Sequence, residues 1–391
     1  MRDKSAIFAV MQKEITHIFR DKILLMIALV APFALMFLCG FLYIEGKVTA
    51  LPAIVFDQDQ SEMSRMIIRS FADSERFQIK TMAGSYPEVE KALQNETAYL
   101  AVVIPPDLQQ NVKSGRAAEV GLIMNAGNLV VLNTAANAAN QIIQTISAGI
   151  TMRVMQGNGI SKAQAYQAVT ALSFRTRNWY NPTTSYLVFM LLGLIGTIIQ
   201  QVTFLGVALS FVREKEQRTW RQLIFSKLTW TEVMGGKLLV YLIIYTFDIL
   251  ASFGLAFGFF GLPMRGSAWL LILTSILFIL VLLALGMTIS ILAASAAQAI
   301  EISMLIAVPS FLISGYTWPY LSMPAPIQFL SRILPLSHYL EAVKAIVYMD
   351  AGWEVIWPKL AILALFAIIF LPLTAVALNR KLTLKKVKFS F

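Results

Sequence analysis

Long apolar runs separated by short charged segments organise this chain, and one stretch of mixed polarity interrupts them. The first run, Ile23–Ile44, holds 22 residues without a charge. As a helix at ~1.5 Å per residue it would reach about 33 Å, enough to cross a bilayer core. Pro32 and Gly40 inside it are compatible with a membrane helix, where neighbouring groups satisfy the freed backbone. The run lacks a small-residue cleavage site and is longer than the apolar core of a signal peptide, so a retained span is expected over 23–45. Before it, Phe8, Met11, Ile15, Ile18 and Phe19 recur at helical spacing, with Lys13, Glu14 and His17 between them. Residues 1–22 fit two descriptions, an amphipathic helix lying in the membrane interface or a plain extension of the span.

Residues 46–182 follow a different pattern. Leu51–Phe56, Phe77–Met82, Tyr99–Ile104 and Val120–Met124 read as strands, alternating with helical stretches at Ser61–Asp73 and Tyr86–Asn95. Such alternation predicts a small α/β domain. Two further helices, Leu129–Met155 and Ser161–Phe174, flank Gly157-Asn158-Gly159 and would form a stalk. With 12 Lys/Arg against 10 Asp/Glu, this segment has the mixed charge of a folded, solvated domain.

Apolar runs then resume. Spans are expected over 183–212, 238–262, 267–293, 300–316 and 357–379. The run Ser267–Ile300 is charge-free for 34 residues, too long for one crossing, so a turn is expected within Ala293–Ala299. Between the last two spans, residues 317–356 carry Pro319, Pro324, Pro326 and Pro335, each a helix breaker.

Composition narrows the class. Of 391 residues 57% are hydrophobic and 14% charged, with mean hydropathy +0.68. A soluble domain carries roughly a quarter charged residues, so the chain is expected to be a polytopic α-helical membrane protein. It has six predicted transmembrane helices, with an α/β extracytoplasmic domain inserted between the first and second. A single cysteine, Cys39, excludes an intrachain disulfide. With two histidines, the chain offers little for a transition metal, and no metal site is expected.

The net charge of +10 sits at the ends of the apolar runs. The amino end, the loop 213–237 and the tail 380–391 together hold sixteen Lys/Arg against six Asp/Glu. Six spans place these three segments on one face, and the excess of positive charge makes that face cytoplasmic. Both termini are therefore expected inside a bacterial inner membrane, with 1–22 as a cytoplasmic interfacial helix and 317–356 external. The basic residues read as orientation signals, and no nucleic-acid partner is expected.

Candidate chemistry is sparse. Gly235-Gly236-Lys237 lacks the upstream glycine of a nucleotide-binding loop and is followed by Leu238. His17 and His338 fall on opposite faces of the expected topology, and neither has a G-x-S-x-G partner. No catalytic residue is expected.

The loop 213–237 is richer. It reads Arg213-Glu214-Lys215-Glu216-Gln217-Arg218-Thr219-Trp220-Arg221-Gln222-Leu223, then Ser226-Lys227-Leu228-Thr229-Trp230-Thr231-Glu232, then Gly236-Lys237. A charged helix, a break and a second helix opened by a Thr229/Glu232 capping box are expected. Trp220, Leu223 and Ile224 make one apolar edge, while Glu214, Glu216 and Arg218 supply charge. Two readings fit, docking of a soluble partner through apolar anchors with a polar rim, or a solvated loop with interfacial tryptophans.

This stretch resembles the signature of ABC-2 type transporter permeases, which runs E-R-E-x-G-T-L-E-Q-L, then a T-P-L-S-like turn, then G-K. Glu214, Glu216, Thr219, Gln222, Leu223, Leu228, Glu232, Gly236 and Lys237 fall in register, while Arg218 and Lys227 stand where glycine and proline are common. A second block, Ser314-Gly315-Tyr316-Thr317-Trp318-Pro319, then Met323-Pro324, Pro335-Leu336-Ser337 and Tyr339-Leu340-Glu341-Ala342, is similar to the family's segment before the last span. Lys344 replaces an arginine common there. One span followed by a large external domain is similar to the family's drug-exporter branch.

The resemblance implies the permease subunit of an ATP-binding cassette exporter. It implies a separate ATPase subunit carrying ATP and Mg, a second permease chain, identical or paralogous, and no cofactor or ATPase site on this chain. Coupling would fall to Glu214, Glu216, Arg218, Thr219, Trp220, Gln222 and Leu223. An outer gate of paired short re-entrant helices would use Gly315, Tyr316, Trp318, Pro319, Met323 and Pro335. A hydrophobic or amphipathic cargo, such as a drug or lipid, would pass outward between the chains. The external domain suits guiding cargo or binding a periplasmic membrane-fusion adaptor.

Within the spans, Asp248 suits a substrate or proton site, or hydrogen-bonded packing. Tyr241, Tyr245, Phe253, Phe189 and Phe204 suit either an aromatic path or ordinary helix packing. The alternative function is an ion-coupled secondary transporter with Asp248 as proton carrier, although no internal repeat of the kind such transporters show is evident. A ligand-sensing receptor is a third class, and the short inside segments hold no catalytic output module.

Overall fold

A computed structural model describes residues 2–46, 48–170, 179–181, 184–217, 219–226 and 228–389. The chain divides into two units, Lys47–Arg177 and the remainder. The remainder opens with α1 (Arg2–Arg20), α2 (Lys22–Leu25) and α3 (Ala31–Leu42). Asp21 caps α2 by accepting from the Ile23 and Leu24 amides. Between α2 and α3 the helix widens into a π turn, Met26–Val30. Pro32, at the start of α3, lacks the amide that would bond back into this turn. The predicted single run is thus one continuous apolar segment, Lys22–Leu42, with a changed winding near its middle.

The inserted unit holds all four predicted strands, β1 (Leu51–Asp57), β2 (Phe77–Met82), β3 (Leu100–Ile104) and β4 (Gly121–Met124). They form one sheet in the order β2-β1-β3-β4, with β1 parallel to both neighbours and β4 antiparallel to β3. The parallel pairs require helical crossovers, supplied by α4 (Glu62–Ala72) and α5 (Tyr86–Gln94). Alternate residues face opposite sides, as the two-residue strand period demands. Leu51, Ala53 and Val55 join Ile67 and Phe71 of α4, while Ile54 and Ala101 join Val89 of α5. The short α6 (Leu108–Lys113) was not legible in the pattern. The long α7 (Leu129–Gly157) contributes Ala135 and Ala139 to the sheet's core. The following α8 (Lys162–Val169) is capped by Ser161, and the predicted continuation of that helix through Phe174 lies outside the described residues.

The first unit resumes with α9 (Tyr186–Glu216), α10 (Trp220–Phe225), α11 (Trp230–Gly258), α12 (Ala268–Leu292) and α13 (Ala296–Leu312). It closes with α14 (Ala325–Ile333), α15 (Pro335–Met349) and α16 (Trp353–Phe389). Among the described residues five segments are long and apolar enough to cross a membrane: Lys22–Leu42, Tyr186–Glu216, Trp230–Gly258, Ala268–Leu292 and Trp353–Thr383. The sixth expected span differs. Ser295 caps α13 through the Gln298 amide, so the helix starts and stops four residues before the predicted 300–316 and has only 17 residues. The predicted turn in Ala293–Ala299 is real and falls at its amino end.

The helix α9 lies deepest, packing against α3, α11, α12, α13 and α15. Two short helices, α14 and α15, occupy the segment where the resemblance implies such a pair. Pro335 starts α15 at a position where its missing amide has no helical partner to lose.

Candidate functional site

The charged run after the second predicted span does not project as a separate helix. It is the last turn of α9, and four consecutive side chains there, Arg213 to Glu216, each reach a different element. Arg213 pairs with Asp21, the cap of α2. Glu214 accepts from Lys13 of α1 at 2.7 Å and lies 3.3 Å from Lys237 of α11. Lys215 Nζ donates to the carbonyls of Ser290, Ile291 and Ala293 at 2.8, 2.8 and 2.9 Å. These belong to the end of α12, where carbonyls lack helical partners and the helix dipole favours a cation. Glu216 accepts from the Ala296 amide at 2.7 Å, at the amino end of α13, where an anion is favoured.

Beneath this turn lies a buried ionic cluster. Lys237 Nζ donates to Glu14 Oε2 at 2.7 Å and to the Ser210 carbonyl at 3.1 Å. It also sits 4.9 Å from the Phe211 ring centre. Tyr241 donates to the other Glu14 oxygen at 2.8 Å. The side chains of Lys237, Glu14 and Glu214 are 2%, 3% and 6% exposed, whereas Lys13 is 51% exposed. One cation between two carboxylates leaves a net negative charge in a low-dielectric interior, and Lys13 neutralises it from the rim. His17, one turn from Glu14, is held below its ordinary imidazole value by burial, opposed by the Glu14 charge. It therefore adds no third positive charge at neutral pH.

Local sequence explains how α1 comes close enough. Val10, Glu14 and Ile18 share one buried helical stripe, so Glu14 points inward with its apolar neighbours. Gly236 faces them, and a β-carbon there would lie 2.6 Å from Val10 Cγ1 and 3.1 Å from the Ile7 carbonyl. Only glycine allows this approach, which brings Glu14 onto Lys237. The Thr229/Glu232 capping box predicted for the start of α11 is formed.

Trp220 and Leu223 of the expected apolar edge turn inward, and the Ile224 side chain lies outside the described residues. Trp220 is 3% exposed and packs edge-on against Phe211 at 6.1 Å, and Leu223 is 9% exposed. The reason is length: α10 has six residues and lies back on α9 and α16, which cover its apolar side. Thr219 is tied to the Glu214 carbonyl at 3.3 Å. Gln222 and Phe225 face outward instead, Phe225 at 66% exposure. Arg218 lies outside the described residues. The pattern did not mark Lys13, Glu14, Asp21, Ser290 or Phe225 as site residues. For Glu14 a signal existed, an acid in the apolar stripe of an amphipathic helix.

The expected gate residues lie apart from this cluster. Gly315 has φ +82°, a backbone conformation that side chains disfavour. Tyr316 donates to the Phe189 carbonyl and its ring stacks on Phe189 at 5.2 Å. Met323 and Pro335 are buried, while Trp318 is 54% exposed and Pro319 precedes a 3-10 turn, Tyr320–Ser322. Tyr339 of α15 stacks on Phe278 of α12 at 4.0 Å. The aromatic path candidates do not converge, since Phe189 joins Tyr316, Tyr241 joins the ionic cluster, and Phe204 is buried facing Gly286. Asp248 is fully buried on α11.

The sequence model of a family described as "ABC-2 family transporter protein" matches residues 22–376. The protein named probable multidrug ABC transporter permease YbhR, from Escherichia coli (strain K12), is 29% identical over 322 residues, covering 81% of this chain and 84% of its own length. The inner membrane transport permease YhhJ of the same organism is 26% identical over 366 residues, covering 92% and 93%. The probable multidrug ABC transporter permease YbhS is 24% identical over 371 residues, covering 95% and 96%.

Proposed function

The chain belongs to the ABC-2 family of transporter proteins and is a membrane subunit of an ABC transporter, and on that premise we propose that it exports a hydrophobic or amphipathic cargo with energy from a separate ATPase. The observation that carries this reading is the stapled last turn of α9. Four adjacent charges bind α1 with α2, α11, α12 and α13 to one short segment. A push on α10 therefore reaches several helices at once, which is what a subunit driven from outside requires.

In this reading the elbow 213–237 faces the cytoplasm and meets the ATPase through its outward residues, Gln222 and Phe225, with Glu216 at the rim. Six crossings place both termini inside, with α13 as the short sixth crossing and the sheet unit outside. Two such chains form the pathway, ATP and Mg reside on the partner, and the segment around Gly315 and Tyr316 gates the outer end. The sheet unit offers the surface for a periplasmic adaptor. Drug-like cargo is an extension from the relatives' names, which speak of multidrug transport for those proteins.

The deciding experiment reconstitutes the chain with its cognate ATPase in vesicles and follows export under ATP with every ion gradient collapsed. Sustained export supports the reading. Export that needs a proton gradient and ignores ATP replaces it with ion coupling at Asp248.

A further inference from the structure

Five side chains on one face of α11, Lys237, Tyr241, Tyr245, Asp248 and Ser252, are all buried and follow at spacings of three or four residues. Two contacts set their level against α9, Lys237 to the Ser210 carbonyl and Tyr245 to the Val202 carbonyl. Eight residues forward on one helix match eight back on the other, so the two run antiparallel and Asp248 lies level with residue 199. Next to that level, α9 carries Gln200 and Thr203, which are 1% and 0% exposed.

The polar atoms here are orphans. Both carboxylate oxygens of Asp248, the side-chain oxygen of Gln200 and the hydroxyl of Thr203 are buried without a hydrogen-bond partner. Among the described residues no cation compensates them. The elements packed on α11 are α1, α3 with its preceding π turn, α9, α12 and α16. Between Tyr186 and Arg213, α9 has no ionisable residue, α12 has none, and α16 has none between Lys359 and Arg380. The segment 26–42 has only Cys39, and α1 brings Glu14 and His17 to the level of Lys237 and Tyr241. Lys237 itself is eleven residues from Asp248, about 16 Å along the helix at ~1.5 Å per residue. The nearest ionisable neighbour on its own helix is Tyr245.

A carboxylate so placed, with no donor and no counter-charge, is not stable as an anion. On the same face of the helix Tyr245 stands one turn before it, and its ring is stacked with that of Tyr241 at 6.1 Å. A carboxyl group beside aromatic rings is the chemistry that recognises an organic cation, through its charge and through the ring faces.

We propose that Asp248 with Tyr245 forms a binding site for an organic cation, which enters in exchange for the proton held by the carboxyl group. This rests on the export reading and names its cargo class, a cationic amphiphile. As the cation enters between α9 and α11, the carboxyl O–H bond breaks and the proton leaves to water. The site is neutral before and after, with an acid replaced by a carboxylate–cation pair. The orphan oxygens of Gln200 and Thr203 stand ready for a solvating water or the cation's own donors.

The test uses the purified full chain in micelles with tetraphenylphosphonium as the probe, and neither ATP nor ATPase present. In lightly buffered solution with an indicator dye, binding should release one proton per chain, and the affinity should fall as pH is lowered. Asp248→Asn, which matches the neutral acid in shape, should elute and melt like the wild type, release no proton and bind at least tenfold more weakly. Asp248→Glu should restore proton release. Binding without proton release by the wild type, or affinity that does not change with pH, overturns the proposal, and neither result needs a variant that folds. Because no ATP is involved, that failure leaves export itself to the vesicle experiment, and failure there leaves the proton count standing.

Discussion

Lys237 and Glu14 stand 223 positions apart in the chain, yet their charged atoms lie 2.7 Å apart with both side chains almost fully buried. Glu214 shares the same cation at 3.3 Å. Breaking a buried pair by removing one member leaves an uncompensated charge, which costs about 3–5 kcal/mol. Lys237→Met should therefore lower stability by about that much, and Glu14→Gln by less because Lys13 and Glu214 remain. The double variant should be more stable than the sum of the two losses predicts. Thermal denaturation of the four proteins in detergent completes this cycle, and strict additivity would refute the coupling.

The cluster should also respond to acid. Burial holds His17 below its ordinary value of 6.5, so the unfolded chain takes up a proton before the folded one does. Stability from this group is full above about 6.5 and is lost as pH falls through the window between the unfolded and the folded value. A melting temperature that falls on acidification, and falls less in His17→Asn, is the expected record.

Gly236→Val should push α1 off α11, because the new β-carbon would overlap Val10. Overpacking of this kind costs about 1–3 kcal/mol. The readout is faster proteolytic cleavage within α1, with α12 and α16 left intact.

Surface and buried positions of the elbow should separate in function. Phe225→Ala and Gln222→Ala should weaken capture of the ATPase with no change in melting, since both face outward. Glu214→Lys should lower the melting temperature first, because it places a third cation beside Lys237. Should Phe225→Ala hold the ATPase as the wild type does, the outward face of α10 is not the docking surface.

At the opposite cluster, Gly315→Trp must adopt φ +82°, costing roughly 1–2 kcal/mol. It should block export while ATPase capture stays normal. Unimpaired export by a stable Gly315→Trp protein would remove Gly315 and Tyr316 from the gate.

Much of the architecture was legible along the chain. Strand periodicity located all four strands, the expected Thr229 cap forms, and the helical stretches expected from Ser61 and Ser161 begin at those residues, which cap them. Apolar length identified the five helices that are long and apolar enough to span a membrane among the described residues. The signal for α13 was weaker, because an unbroken apolar run carries no mark of where one helix stops. Ser295 decided that end through a single side-chain contact. The elbow was legible as a motif and misread as a surface. Charges in a polar loop ordinarily face water, and nothing in the local pattern distinguishes Glu214, buried against Lys13 and Lys237, from Gln217, which faces outward.

The amino-acid order alone determined which segments are apolar enough to leave water and where helices and strands begin, because hydrophobicity, period and capping act over a few neighbouring residues. Tertiary structure alone decided which charges meet. Pairing depends on helices brought together from distant parts of the chain, and a glycine at 236 and an acid at 14 acquire their meaning only when α1 lies across α11.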